Sequence, residues 1–405
     1  MRILLISPAP PYPLYYGDRL MVHHLGRSLA ERGHTVDLLA LTQRPEDAGE
    51  QHHYADLFGH AELIEAADHS ALNFLVRLAR PGRRWPRRAE DSWSPEMWRA
   101  IERRLDAEHY DAVQLLGGTH IYEFFHALRG IPAVITPADS FGLRARRMFQ
   151  SEGLGFAARL KGRMRWLSAR SYERWMYTPY ARTIVLSDVD RAELIAGNPD
   201  LKVDVIPNGV DLETFQAQPV ARSDNALLFV GNYEYGPNAD AALLLATEIF
   251  PRVQASVPNA ELWLVGNGPP ESLKACASDS ITITGRVPDV QPYLAQAAAF
   301  VSPLRVGVGI KNKVLEALAM GCPLVATPLS VDGIAVTEGH DAIVAGDDDF
   351  AAAAIRVLQD ADLRARLSAN GRGLIDARYS WTHVAESYEA LYAEIKPADE
   401  RRLAA

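Results

Sequence analysis

Residues 303–334 read PLRVGVGIKNKVLEALAMGCPLVATPLSVDGI. An apolar run, AAFVSP (298–303), precedes this stretch and has the character of a buried strand. Gly307 and Gly309 then make a flexible turn, a helix is expected from near Lys311 to Gly321, and PLVAT (323–327) is expected as the next strand. Lys311 and Lys313 stand at the mouth of that helix, and Glu316 lies three positions after Lys313 on the same helical face. Unpaired N–H groups at a helix start and two ammonium groups suit a diphosphate. A carboxylate one turn deeper can accept two hydrogen bonds from a ribose diol. The stretch therefore describes a strand–turn–helix–strand unit able to grip a nucleoside diphosphate, with Lys311, Lys313 and Glu316 as the catalytic candidates.

Working outward, the same alternation runs along the chain. RILLIS (2–7), HTVDLLAL (34–41), AELIEA (61–66), DAVQLLGG (111–118), AVITPAD (133–139) and TIVLS (183–187) read as strands of a first α/β series. KVDVIPN (202–208), ALLFVG (226–231), ELWLVG (261–266), ITITG (281–285), AAFVSP (298–303), PLVAT (323–327) and AIVAG (342–346) read as a second. Helices are expected over 144–180, 238–256, 290–297, 311–320, 348–369 and 381–395. Asp18 is placed as the N-cap of the first helix and Asp188 as the N-cap of another. The expected class is α/β, two doubly wound parallel sheets: 1–187, a join over 188–205, 206–378, and a terminal helix over 379–398.

The chain has 405 residues, a size for two domains, and a net charge of −9. An acidic chain is a poor general nucleic-acid binder, so no nucleic-acid partner is expected. Two cysteines and no zinc spacing fit a reducing, cytoplasmic compartment. The N-terminal apolar run meets prolines at once, unlike a secretory signal, and no stretch is long and apolar enough to span a membrane. Neither half carries G-x-G-x-x-G after its first strand; Walker A and G-x-S-x-G are also absent. Hydride transfer, P-loop chemistry and α/β-hydrolase chemistry are thereby disfavoured.

Several pieces taken in order resemble a known family. They are the Gly17 loop, IPNGVDLETF (206–215), LLFVGNY (227–233), ELWLVGNGP (261–269), ITITGRVPDVQPYLAQA (281–297), the 309–332 block and YSWTHVAESYEALY (379–392). Together they resemble the GT-B glycosyltransferases of family 4, a retaining group. Gly309, Ile310, Lys311, Lys313 and Glu316 match the G-[IT]-[KR]-x-K-x-x-E pattern of its bacterial exopolysaccharide and surface-glycan members. The resemblance implies two facing Rossmann-like domains, a terminal helix crossing back to the N-terminal one, and a nucleoside diphosphate sugar as donor. The acceptor it implies is a saccharide or a lipid-linked group bearing a hydroxyl. Candidate donor contacts are Gly17, Gly231, Asn232, Arg286, Gly309 and Ile310; candidate acceptor-side groups are Asp18, His120 and Asp139.

Three departures stand out. Val308 occupies the place of the family's first glutamate, the loop after 226–231 lacks its usual basic pair, and His120 is displaced from the usual histidine position. Sugar recognition is then expected from backbone near Gly309, with Lys311 and Lys313 supplying the missing charge. Two other readings remain open at this point: a GT-B nucleotide-sugar epimerase and a non-catalytic partner subunit. No cofactor and no metal are expected, since the Asp-x-Asp at Asp188–Asp190 has no phosphate-gripping turn beside it. Residues 144–170 carry Arg144, Arg146, Arg147, Arg159, Lys161, Arg163, Arg165 and Arg170 against Glu152, interleaved with Phe, Leu, Met and Trp. That segment, helped by the arginines of 80–88, is a candidate for peripheral contact with an anionic membrane.

Overall fold

The computed structural model describes residues 1–14, 16–42, 44–66, 94–150, 155–216, 218, 220–307 and 309–395. The chain divides into two compact units. The first takes residues up to Ile206, apart from Gln150–Gly153, and then Trp381 onward; the second takes Pro207–Ser380.

The first unit is built on a seven-stranded, all-parallel sheet of order β3-β2-β1-β4-β5-β6-β7. Its strands are β1 Arg2–Ser7, β2 Thr35–Thr42, β3 His60–Glu65, β4 Ala112–Leu116, β5 Ala133–Ala138, β6 Arg182–Val185 and β7 Val203–Val205. Around it lie α1 Gly17–Glu31, α2 Pro95–Ala107, α3 Phe141–Gln150, α4 Phe156–Met176 and α5 Asp188–Gly197. The apolar runs of β1 and β4 are buried throughout because helices cover both faces of the sheet.

The stretch expected as a join belongs to the first unit. β6 pairs with β7 through Thr183–Val203 to Val185–Val205, so 188–205 supplies α5 and the edge strand of the first unit. Asp188 does not cap α5: the Ser187 side chain accepts from Asp190 N and takes that place. Asp18 likewise sits in the first turn of α1, with Tyr16 at the N-cap position and the Asp18 carboxylate accepting from the next amide. In both cases the helix begins one or two residues earlier than the nearest acid suggested.

The second unit has a six-stranded parallel sheet of order β10-β9-β8-β11-β12-β13. It contains β8 Ala226–Val230, β9 Glu261–Val265, β10 Ile281–Gly285, β11 Ala299–Ser302, β12 Leu324–Ala326 and β13 Ile343–Val344. Its helices are α6 Gly236–Leu244, α7 Phe250–Ser256, α8 Gln291–Gln296, α9 Asn312–Ala319, α10 Phe350–Gln359 and α11 Ala361–Arg378. The single helix expected over 238–256 is interrupted by a π turn at Leu245–Ile249. The one expected over 348–369 breaks at Asp360, whose side chain caps α11 by accepting from Leu363 N.

The last helix, α12 Trp381–Ile395, returns to the first unit. Trp381, Val384, Ala385, Tyr388 and Tyr392 repeat at helical spacing and are buried there. Tyr392 donates to Gln114 Oε1 at 3.0 Å, the Tyr388 and Thr136 hydroxyls lie 3.1 Å apart, and Arg32 pairs with Glu386 and Glu389. An apolar stripe fixes the helix and two buried phenols fix its register.

Candidate functional site

In an open parallel sheet, ligands sit beyond the C-terminal strand ends where the strand order reverses. In the second sheet that point lies between β8 and β11, which are neighbours although widely separated in sequence. The loops leaving these two strands are 231–235 and 303–311, the stretches that carry Gly231, Asn232, Gly309, Ile310 and Lys311.

The β11 loop turns on two glycines, Gly307 at φ +138° and Gly309 at φ +70°, so both adopt backbone conformations that side-chain-bearing residues resist. Lys311 is the N-cap residue of α9, with extended φ and ψ of −98° and 93°. Its buried side chain bends back to donate to the Gly309 carbonyl, holding the turn closed. Lys311 thus serves the turn as well as standing at the helix mouth.

Lys313, half-buried two residues on, donates to Asn238 Oδ1 at 2.5 Å and lies 4.5 Å from the centre of the Phe229 ring. Asn238 is itself buried near the start of α6, and its Nδ2 donates to Asn232 O at 2.8 Å. One amide thereby joins the β8 loop to the cation on α9. Glu316 is half-buried, and its carboxylate has no hydrogen-bond partner among the described residues. Burial pushes the Lys313 ammonium down to about 7, opposed by Glu316 and reinforced by Lys311. Burial pushes the Glu316 carboxyl up to about 7, opposed by Lys313. Both shifts favour the neutral forms, and an anion bound at Lys313 would favour its charged form.

The remaining loops on this edge are laced together through backbone. Gly231 N donates to Val265 O, Tyr233 N to Asn267 O, and Gly266 N to Gly285 O. A Cβ on Gly266, at φ +148°, would lie 1.8 Å from Gly231 O, so the β8 and β9 loops touch backbone to backbone. Asn232 is exposed, and its Oδ1 accepts from Glu234 N. Arg286 follows Gly285 at the sheet edge with its side chain outward, and Ile310 is half-buried. Val308 lies outside the described residues.

Gly17, Asp18, His120 and Asp139 belong to the first unit, on segments following β1, β4 and β5 at the C-terminal edge of that sheet. The structure therefore groups Gly231, Asn232, Arg286, Gly309, Ile310, Lys311, Lys313 and Glu316 on one sheet and Gly17 on the other. Gly17 opens α1 and is not among the glycines of positive φ. The His120 side chain lies outside the described residues. Asp139 pairs with Arg144 at 3.6 Å, directly after Ala138, which holds φ +66° at the end of β5.

One residue, Asn238, escapes the sequence reading, and a second, Asn208, is placed only within the run 202–208. Asn238 carries no motif signal beyond its place near a helix start, where an asparagine is unremarkable. Asn208, the last residue of the run 202–208, is buried; its amide donates to Asn312 Oδ1 at the first residue of α9, while its own Oδ1 has no partner among the described residues.

Comparison with known proteins gives the family. A model described as Glycosyltransferase Family 4 matches residues 19–214, and one described as Glycosyl transferases group 1 matches 224–360. The chain is 30% identical over 205 residues to a phosphatidyl-myo-inositol mannosyltransferase of Mycolicibacterium smegmatis, covering 48% of this chain and 52% of that one. It is 31% identical over 191 residues to the lipopolysaccharide core biosynthesis glycosyltransferase LpsD of Rhizobium meliloti, covering 44% and 53%. In these matches the chain spans about half the length of its curated relatives. Sucrose-phosphate synthase from Thermosynechococcus elongatus superposes with a TM-score of 0.68 at 19% identity, covering 97% of this chain and 98% of that one. Anabaena HepE in complex with UDP and glucose superposes at 0.65 and 13% identity, covering 97% and 100%. These likenesses establish the shared GT-B fold. With two glycosyltransferase models matching in sequence order across most of its length, the chain belongs to the family 4 glycosyltransferases.

Proposed function

We propose that this protein transfers a sugar from a nucleoside diphosphate sugar to an acceptor hydroxyl, with retention, in the assembly of a surface glycan or exopolysaccharide. The observation that carries this reading is the conjunction of Lys313 and Glu316 on α9 with the Gly307–Gly309 turn at the strand-order reversal of the second sheet. The α9 N-terminus and Lys313 would receive the diphosphate, and Glu316 the ribose hydroxyls. When the glycosidic bond breaks, negative charge grows on the departing diphosphate, and Lys313 becomes fully protonated as that charge arrives. Lys311 supports this by keeping the Gly309 turn closed, and backbone around Gly309 reads the sugar. Asp18, His120 and Asp139 are proposed on the acceptor side.

Two relatives support a lipid-linked acceptor by their names, the phosphatidyl-myo-inositol mannosyltransferase and a GDP-mannose-dependent phosphatidylinositol monomannoside mannosyltransferase of Mycobacterium tuberculosis. No helix among the described residues is long and apolar enough to cross a membrane. We place the protein in the cytoplasm, touching the inner face of an anionic membrane through part of 144–170, a position that suits a lipid-linked acceptor. The arginines of 80–88 lie outside the described residues.

Calorimetry against GDP, UDP, ADP and dTDP tests the reading: one diphosphate should bind well ahead of its monophosphate. Equal, negligible heats for all four would remove it. We further propose that no divalent metal is needed, because the lysines and the helix mouth supply the positive charge that a bound cation would otherwise contribute. Donor hydrolysis in excess EDTA should proceed at the untreated rate. Loss of activity restored by Mg²⁺ or Mn²⁺ would contradict that.

A further inference from the structure

The N-terminal half of α4 is exposed on nearly every side, and four large apolar residues stand out on it. Phe156 is 85% exposed, Leu160 51%, Met164 65% and Leu167 50%. At about 100° per residue they fall within an arc of roughly 80°. The residues that bury this helix, Ala169, Tyr172, Glu173 and Met176, lie on the opposite side of its axis. The helix therefore has two apolar faces. One enters the core; the other forms a ridge that nothing among the described residues covers.

The charges around the ridge are equally telling. Arg144 and Arg146 are engaged with Asp139 and Glu193, and Arg170 donates to Ala196 O. Arg159, Lys161, Arg163 and Arg165 are exposed and make no ion pair or side-chain hydrogen bond among the described residues. No acidic residue appears on α4 before Glu173. At the same angular spacing Arg159, Lys161 and Arg163 lie within about 100° of the ridge centre and flank it, whereas Arg165 stands roughly 140° away on the side of the buried face. Three unpaired cations flanking an exposed apolar ridge match an anionic lipid interface: phosphates meet the cations while the ridge leaves water.

We infer that Phe156, Leu160, Met164 and Leu167 insert into the headgroup–acyl boundary of an anionic bilayer, with Arg159, Lys161 and Arg163 on the phosphates. This rests on the membrane contact proposed above and sharpens it, since charge attraction alone would need no ridge. It also separates Arg144, Arg146 and Arg170, which serve the fold, from Arg159, Lys161 and Arg163, which serve the lipid.

The test is co-sedimentation of the full chain with vesicles of phosphatidylcholine alone and of phosphatidylcholine mixed with phosphatidylglycerol. Three proteins are compared: the wild type, Leu160→Ser/Met164→Ser, and a variant with Arg159, Lys161 and Arg163 all changed to Gln. Both variants alter exposed positions, and unchanged circular dichroism melting verifies their fold. The wild type should bind the mixed vesicles, and the ridge variant should bind them at least roughly tenfold more weakly with every cation intact. If the ridge variant binds like the wild type while the Gln variant does not, insertion is wrong and the charge-driven contact survives. If the wild type binds neither vesicle, both readings fall together. Should light scattering show a wild-type dimer that the ridge substitutions dissociate, the ridge covers a second copy of the chain and the lipid inference is overturned.

Discussion

Lys313 on α9 and Asn238 on α6 are joined by a 2.5 Å hydrogen bond that ties together the two loops flanking the strand-order reversal of the second sheet. The pairing is unusual in its chemistry. A half-buried cation ordinarily acquires a carboxylate, yet here the contact is a neutral amide and an aromatic face. A neutral partner holds the ammonium in place without consuming its charge, which leaves that charge for an anion.

Asn238 is accordingly expected to govern diphosphate affinity. Asn238→Ala should weaken binding about tenfold, the scale of one hydrogen bond to a charged group. Asn238→Asp should weaken it further, although it restores a partner to Lys313, because a carboxylate competes with the diphosphate. Calorimetry on the two variants decides the matter: tighter binding by the Asp variant than by the Ala variant would refute a role for the neutral partner.

Glu316 should set the pH range of binding. Burial lowers the Lys313 pKa and Glu316 opposes that shift, so Glu316→Gln should lower it further. Below its pKa the lysine is already charged for a diphosphate; above it, binding must first take up a proton. Affinity should therefore fall more steeply between pH 6 and pH 8 in Glu316→Gln than in the wild type. Parallel pH profiles for the two proteins would show that the groups are not coupled.

Gly266 is expected to be intolerant of substitution. A methyl group there would collide with Gly231 O at a backbone angle that already disfavours alanine. Gly266→Ala should cost at least ~2 kcal/mol of stability and displace the β8 loop. Chemical denaturation measures this, and a midpoint unchanged from the wild type would mean that the loops are less tightly apposed.

The sheets were readable from sequence because parallel strands covered on both faces are short unbroken apolar runs, as RILLIS and ALLFVG are. The helix mouth was readable because Gly309, Lys311, Lys313 and Glu316 are close in sequence. What escaped depended on distant contacts. Nothing local shows that KVDVIPN continues the first sheet instead of opening the second; its pairing with β6 decides that. Asn238 lies 75 positions from the lysine it holds, and Asn208 lies 104 from Asn312. The exposed ridge of α4 was visible only as interleaved arginines and apolar residues until burial separated its two faces.

The most direct measurement is calorimetric titration of the best-binding nucleoside diphosphate into the wild type and Lys313→Ala at neutral pH. If the second sheet holds the diphosphate through α9, Lys313→Ala should lose roughly 10²-fold in affinity, with a parallel or larger loss in donor turnover, the scale of removing one preorganised charge. Binding and turnover within about threefold of the wild type, well under the 1.4 kcal/mol of a tenfold change, would contradict it.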